Sequence, residues 1–199
     1  MSIELAIAAA LFCFAGSLTP GPNNIMLLAS GVNFGFARTI PHMSGVVAGY
    51  ALLLLMVGLG IGQSVMAHPM AFLALKVAGA AYLVWLAWKV ATATGGPSGE
   101  GRSAPLSFVQ AVAFQWINVK GVLLGISAVA AFTRPAAFGP TLTMLISVSF
   151  AANVTSVLVW TLFGTALRGF LSDPRRARVF NVGMAILLLA SLYPMLADV

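Results

Sequence analysis

Several apolar runs in this chain exceed the roughly 18 residues that mark a membrane-spanning helix, and no feature constrains the fold more. Six segments stand out, at about residues 3–30, 43–64, 70–91, 106–132, 138–167 and 179–196. The 199 residues are 60% hydrophobic and only 7% charged, where a soluble domain carries about 25%. Most of the chain must therefore face lipid or pack inside a helical bundle. The predicted fold class is an all-α membrane protein of about six transmembrane helices. It forms one domain over residues 1–199, with a polar connector at 93–105 containing Gly95-Gly96-Pro97-Ser98-Gly99-Glu100-Gly101-Arg102.

The net charge of +6 is no nucleic-acid footprint, because the ten Lys and Arg residues are scattered singly or in pairs between apolar segments. In a multi-pass protein such charges set orientation. Arg38, Lys89, Arg102, Arg168, Arg175, Arg176 and Arg178 follow segments one, three and five, and only Arg134 follows two or four. The expected topology has six spans with both termini outside. A five-span version, with the interrupted first segment re-entrant, would put the N-terminus inside. Cys13 is the only cysteine, which excludes an intramolecular disulfide and a thiolate metal cluster. Glu4 stands where a cleaved signal peptide would have basic residues, so the first apolar segment is expected to remain as a helix.

The two halves, about 1–92 and 106–199, resemble each other, with polar interruptions in their first segments. Three spans per half would make the repeat inverted across the membrane, a recurrent plan in transporters. In segment one the interruption is Thr19-Pro20-Gly21-Pro22-Asn23-Asn24. Each proline removes a backbone donor and costs about 3 kcal/mol inside a helix. Broken backbone at membrane depth survives only when buried in protein or lining a wet cavity. Freed backbone groups and the Asn23 and Asn24 side chains suit a zwitterion, with the half-helix N-terminus facing its carboxylate. A packing kink is the alternative reading. In segment four, Asn118 and Lys120 lie near the bilayer centre, where a lysine costs at least about 2.5 kcal/mol. No acid lies within a span, so the partner of Lys120 is a substrate carboxylate or a set of amides, carbonyls or water.

Other polar residues point to a site less directly. Lys76 can snorkel to the interface, and Lys89 is expected to anchor there with Trp85 and Trp88. Asn153 is expected to hydrogen-bond another helix. His42 is expected to be solvated at the interface, and is the candidate near a span that titrates around neutrality. Gly45 and Gly49 have the spacing that permits close helix approach. No protease, hydrolase or phosphate-loop motif is present, so no enzyme, metal site or cofactor is expected.

Three motifs together resemble the LysE/RhtB amino-acid exporters. They are the Thr19–Asn24 stretch, the run Lys76-Val-Ala-Gly79-Ala-Ala-Tyr82-Leu-Val-Trp85-Leu-Ala-Trp88-Lys89, and Phe114-Gln-Trp-Ile-Asn118-Val119-Lys120. The resemblance covers the whole chain in order and is closest to the cysteine/O-acetylserine exporter branch. It implies a multi-pass protein of the bacterial inner membrane that exports amino acids, driven by an ion gradient, with the proton as the expected coupling ion. It leaves homo-oligomerisation open. Many members have proline where Val119 stands, so segment four is expected to be more continuous than segment one. A small neutral substrate, of the cysteine/O-acetylserine or homoserine/threonine type, fits a chain without intramembrane acids. The substrate-binding residues implied are Pro20, Gly21, Pro22, Asn23, Asn24, Asn118 and Lys120, with Lys76, Tyr82 and Asn153 as further candidates. A carrier or channel for another small solute or ion, or a membrane scaffold subunit, remains the alternative.

Overall fold

A computed structural model describes residues 3–60, 67–92 and 104–193, and among them every regular element is helical. In chain order the helices are α1 (Ile3–Leu18), α2 (Pro22–Phe34), α3 (Phe36–Gly58) and α4 (Pro69–Ala91). They are followed by α5 (Phe108–Ile117), α6 (Val119–Phe132), α7 (Phe138–Leu167) and α8 (Pro174–Ala190), with short 3-10 turns at Pro135–Ala137 and Phe170–Ser172. Most of the predicted connector, including Arg102, lies outside the described residues, as do Gly62, Ser64 and the end of the sixth segment.

The ends of these helices follow from local chemistry. Proline opens α2, α4 and α8, where its missing N–H is no loss. Ser107 and Gln110 form a reciprocal capping box at the start of α5, with bonds of 3.2 and 3.0 Å. Asp173 caps α8 by accepting from the Arg175 and Arg176 amides at 2.9 and 3.0 Å. Gly35 alone separates α2 from α3, at a φ of 78° that favours glycine.

Three stretches (36–58, 69–91 and 135–167) are long and apolar enough to cross a membrane alone. The α1–α2 pair, bent by 54°, and the α5–α6 pair, bent by 68°, raise the number among the described residues to as many as five. The sixth predicted segment forms the 17-residue α8, shorter than the others up to where the description ends. Large apolar side chains such as Leu11, Val84, Phe163 and Ile186 point outward. In water such a surface would be a liability, and in a bilayer it is solvated by lipid.

The second bend corrects one expectation. Segment four is not the more continuous one, although Val119 replaces a proline. Asn118 itself leaves the helix, at φ −79° and ψ 90°, ending α5 and starting α6. Asparagine tolerates such a junction because its short amide competes with helical backbone bonding.

Packing places the unbroken helices beside the broken ones. The long α7 lies along α1 and α2, while α3 lies along α5 and α6; α3 also meets α7, and α4 meets α8. Glycines make the closest approaches. A Cβ on Gly45 or Gly49 would run into α5 at Phe108, Ala111 and Val112. One on Gly31 would strike the Thr161 carbonyl, and one on Gly164 the Leu28 carbonyl. Gly79 likewise lets α4 press on the Ile117 carbonyl at the second break. Arg38, Lys89, Arg168, Arg175, Arg176 and Arg178 gather at one end of the bundle, where the Arg168 guanidinium reaches the Gly35 turn.

Candidate functional site

The first break exposes the last carbonyls of α1, which have no helical partner. Side chains from three other elements take them up. Asn24 donates its amide to the Ser17 and Thr19 carbonyls at 2.7 and 2.9 Å. Ser156, on α7, donates to the Ser17 carbonyl at 2.7 Å and lies 3.3 Å from the Asn24 amide oxygen. Lys120, from the first turn of α6, donates its ammonium to the Thr19 carbonyl at 2.8 Å and the Pro20 carbonyl at 3.3 Å. The cation thus sits at the negative end of the α1 dipole. Backbone carbonyls, not Asn118, hold Lys120.

Asn23 joins the two broken spans. Its amide donates to Gln115 Oε1 on α5 at 2.8 Å, and Gln115 Nε2 returns a bond of 3.2 Å to Asn23 Oδ1. Gln115 is fully buried and also donates to the Ala111 carbonyl. Gly21 lies close to Lys120 where the breaks meet: a Cβ there would be 2.9 Å from the Lys120 Nζ, so the lysine tip would have to shift.

Between the breaks lies a cavity of about 620 Å³. Gly21, Pro22, Asn23 and Asn24 line it from the first break, Asn118 and Lys120 from the second, and Asn153 from α7. Asn153 donates to the Ser149 carbonyl of its own helix at 3.0 Å, where a bond to another helix was expected. Pro20 is not in the lining; its carbonyl accepts from Lys120. Lys76 and Tyr82 are not brought to this cavity: Lys76 is buried on α4, and Tyr82 stacks on Phe114 at 5.3 Å. Lys89 lies 4.7 Å over the Trp85 ring, as an interface anchor would, but it also lines a second cavity.

Sequence reasoning missed Gln115, Ser149, Ser156, Tyr50 and Cys13, of which all but Gln115 line the central cavity. Ser149, Asn153 and Ser156 fall at i, i+4 and i+7 on one face of α7, a polar stripe legible in the sequence. Gln115 carried only the signal of being an amide in an apolar run.

The arrangement suits an anion beside a cation-accepting wall. The N-termini of α2 and α6 both open on the cavity, each with unpaired first-turn amides and a partial positive charge. Replacing Pro20 and Pro22 by alanine is expected to leave this bend in place. Five side-chain bonds to carbonyls at the break, each worth about 1 kcal/mol, outweigh the two backbone donors regained. Export per folded protein should fall by less than about tenfold, a change of under about 1.4 kcal/mol. Complete loss at equal abundance would show that the prolines alone hold the site open.

The family model described as LysE type translocator matches residues 14–191, a stretch that contains both breaks and all of the cavity's lining except Phe12 and Cys13. The chain belongs to the LysE family. It is also 34% identical to the cysteine/O-acetylserine efflux protein of Escherichia coli O139:H28, over 87% of this chain and 88% of that one. The proteins of the same description from Escherichia coli K12 and Shigella flexneri serotype 5b are 34% identical over 86% of this chain and 87% of theirs. No solved structure matches. As a LysE family translocator the chain is a multi-pass membrane transporter and not an enzyme.

Proposed function

We propose that this LysE family protein exports small neutral amino acids of the cysteine/O-acetylserine or homoserine/threonine type across the bacterial inner membrane. One observation carries the reading: the N-termini of two half-helices and the Lys120 ammonium converge on one cavity. The substrate carboxylate meets the free donor capacity of Lys120 and the first-turn amides of α2 and α6. The amide oxygens of Asn23, Asn24 and Asn153 and the hydroxyl of Ser149 offer acceptors to its amino group. No carboxylate lines the cavity to receive a cationic side chain, which favours a neutral substrate over lysine or arginine.

The gathered basic residues put their end of the bundle in the cytoplasm. The packing supports the inverted repeat of residues 1–92 and 106–199. Exchanging the halves carries the contact of α7 with α1–α2 onto that of α3 with α5–α6, and carries the α3–α7 and α4–α8 contacts onto themselves. Transport is coupled to an ion gradient, with the proton as the ion. The test is efflux of labelled cysteine, O-acetylserine, threonine, leucine and lysine from cells expressing the chain. Efflux of the small neutral substrates above that of lysine is the expected result. Efflux of lysine alone, or of none, would sink the reading.

A further inference from the structure

A second cavity, of about 490 Å³, opens at the basic end of the bundle between α2, α4 and the segment before α5. Its wall contains His42, on α3, which is not the solvated interface residue expected from the sequence. It is 1% exposed, and neither ring nitrogen has a hydrogen-bond partner. A buried polar group left unmatched costs about 1–3 kcal/mol, so an unbonded ring at this place needs an explanation. The other polar wall residues are engaged. Ser30 bonds Thr39 at 2.9 Å, Asn33 bonds the Ala29 carbonyl and Asn181, and Lys89 lies over Trp85.

A buried apolar cluster borders the central cavity through Val46 and Val157. Leu27, Met43, Val46, Val47, Ala111 and Val157 form one buried cluster. His42 and Val46 are one helical turn apart on α3, and Val46 also lines the central cavity. His42 therefore lines one cavity and sits one turn from a residue in the wall of the other, the cavity that holds Lys120.

We propose that His42 is the proton-exchange site of the carrier, taking a proton from water on one side of the membrane and returning it on the other. The exchange balances simply: a free ring nitrogen accepts a proton from hydronium to give imidazolium, and releases it to water in the basic-end cavity. Imidazole can take up and release a proton reversibly, at a ring nitrogen that is not already hydrogen-bonded. The helices packed against α3 carry few competing groups. α2 and α5 have no charged residue, α6 has only Lys120 in the central cavity, and α7 ends at Arg168 beside Gly35. Arg38 lies on α3 itself, and Lys89 faces the ring across the cavity from α4.

The proposal rests on the reading of the chain as an exporter, and reconstituted vesicles separate the two. With labelled amino acid equal on both sides, and the membrane potential held at zero by potassium and valinomycin, acidifying the outside by one pH unit should deplete the inside about tenfold at one proton per substrate. A dye inside lightly buffered vesicles should report proton entry as the amino acid leaves. His42→Gln and His42→Asn keep a polar group without the titration. Both should continue to exchange labelled for unlabelled amino acid without a gradient, but should lose both the depletion and the proton entry. Failure of the unaltered protein to exchange any amino acid overturns the export reading. Exchange by the unaltered protein without proton entry, or proton-coupled depletion by His42→Gln, overturns only the proposal for His42. Variants that neither insert nor exchange make the ring structural, and overturn it too.

Discussion

Lys120→Met is expected to cut amino-acid efflux per folded protein by about 10–150-fold, because a hydrogen bond to a charged group is worth about 1.5–3 kcal/mol. Abundance should change little, because two effects of the substitution oppose each other. Removing an ammonium from membrane depth recovers about 2.5–3.5 kcal/mol on insertion scales. Against that, the Thr19 carbonyl loses one of its two side-chain donors and the Pro20 carbonyl loses the one the structure shows. That loss costs about 1–3 kcal/mol. Lys120→Arg should restore efflux only partly, since a planar guanidinium cannot take the place of a compact ammonium against the same carbonyls. The measurement is efflux at matched abundance, together with the heat protection that added amino acid gives the detergent-solubilised protein. If Lys120→Met keeps both, the lysine is not the carboxylate partner, and the N-termini of α2 and α6 must suffice.

Gly164→Leu is expected to lose most of its folded protein. Any Cβ at Gly164 runs into the Leu28 backbone, and Gly31 meets the Thr161 backbone from the other side. Backbone atoms cannot rotate away as a side-chain tip can, so α2 and α7 would have to separate. Overpacking costs about 1–3 kcal/mol even where side chains can adjust. A loss of that size changes abundance several-fold in cells. Gly183→Ala, on α8, is the contrast, because nothing lies within 4 Å of its added Cβ. There a stabilisation of about 0.4–1 kcal/mol is expected from the stiffer unfolded chain. Fluorescence-detected size exclusion and thermal melting of both variants check the pair. Equal behaviour would mean that the α2–α7 crossing tolerates more separation than its geometry implies.

The sequence showed the helices, the first break and the lysine opposite it, because each breaks a rule that lipid enforces. Pro20 and Pro22 remove backbone donors, and Lys120 puts a charge at membrane depth, so both stand out against an apolar background. The second break was harder to read, because asparagine ends a helix only when its surroundings let it. Here Gly79 brings α4 against the Ile117 carbonyl just before the turn. Gln115 was missed for a related reason: its importance lies in reaching Asn23, 92 positions away in the chain, and no local pattern encodes that pairing. His42 was misplaced because a position near the start of a hydrophobic run says nothing about which face of α3 it occupies. The stripe of Ser149, Asn153 and Ser156 differs: its spacing alone would have revealed it, yet only Asn153 was singled out.

Cys13 lies in the wall of the central cavity, 3.1 Å from the Ser149 hydroxyl, and is the chain's sole thiol. The unaltered protein therefore carries a native reporter inside its own central cavity. The rate at which a small thiol reagent reaches that sulfur gauges how open the cavity is, and a substrate seated beside it would act as a shield. A thiol-bearing cargo would pass the same sulfur, so any oxidant entering with it would meet two thiols at close range.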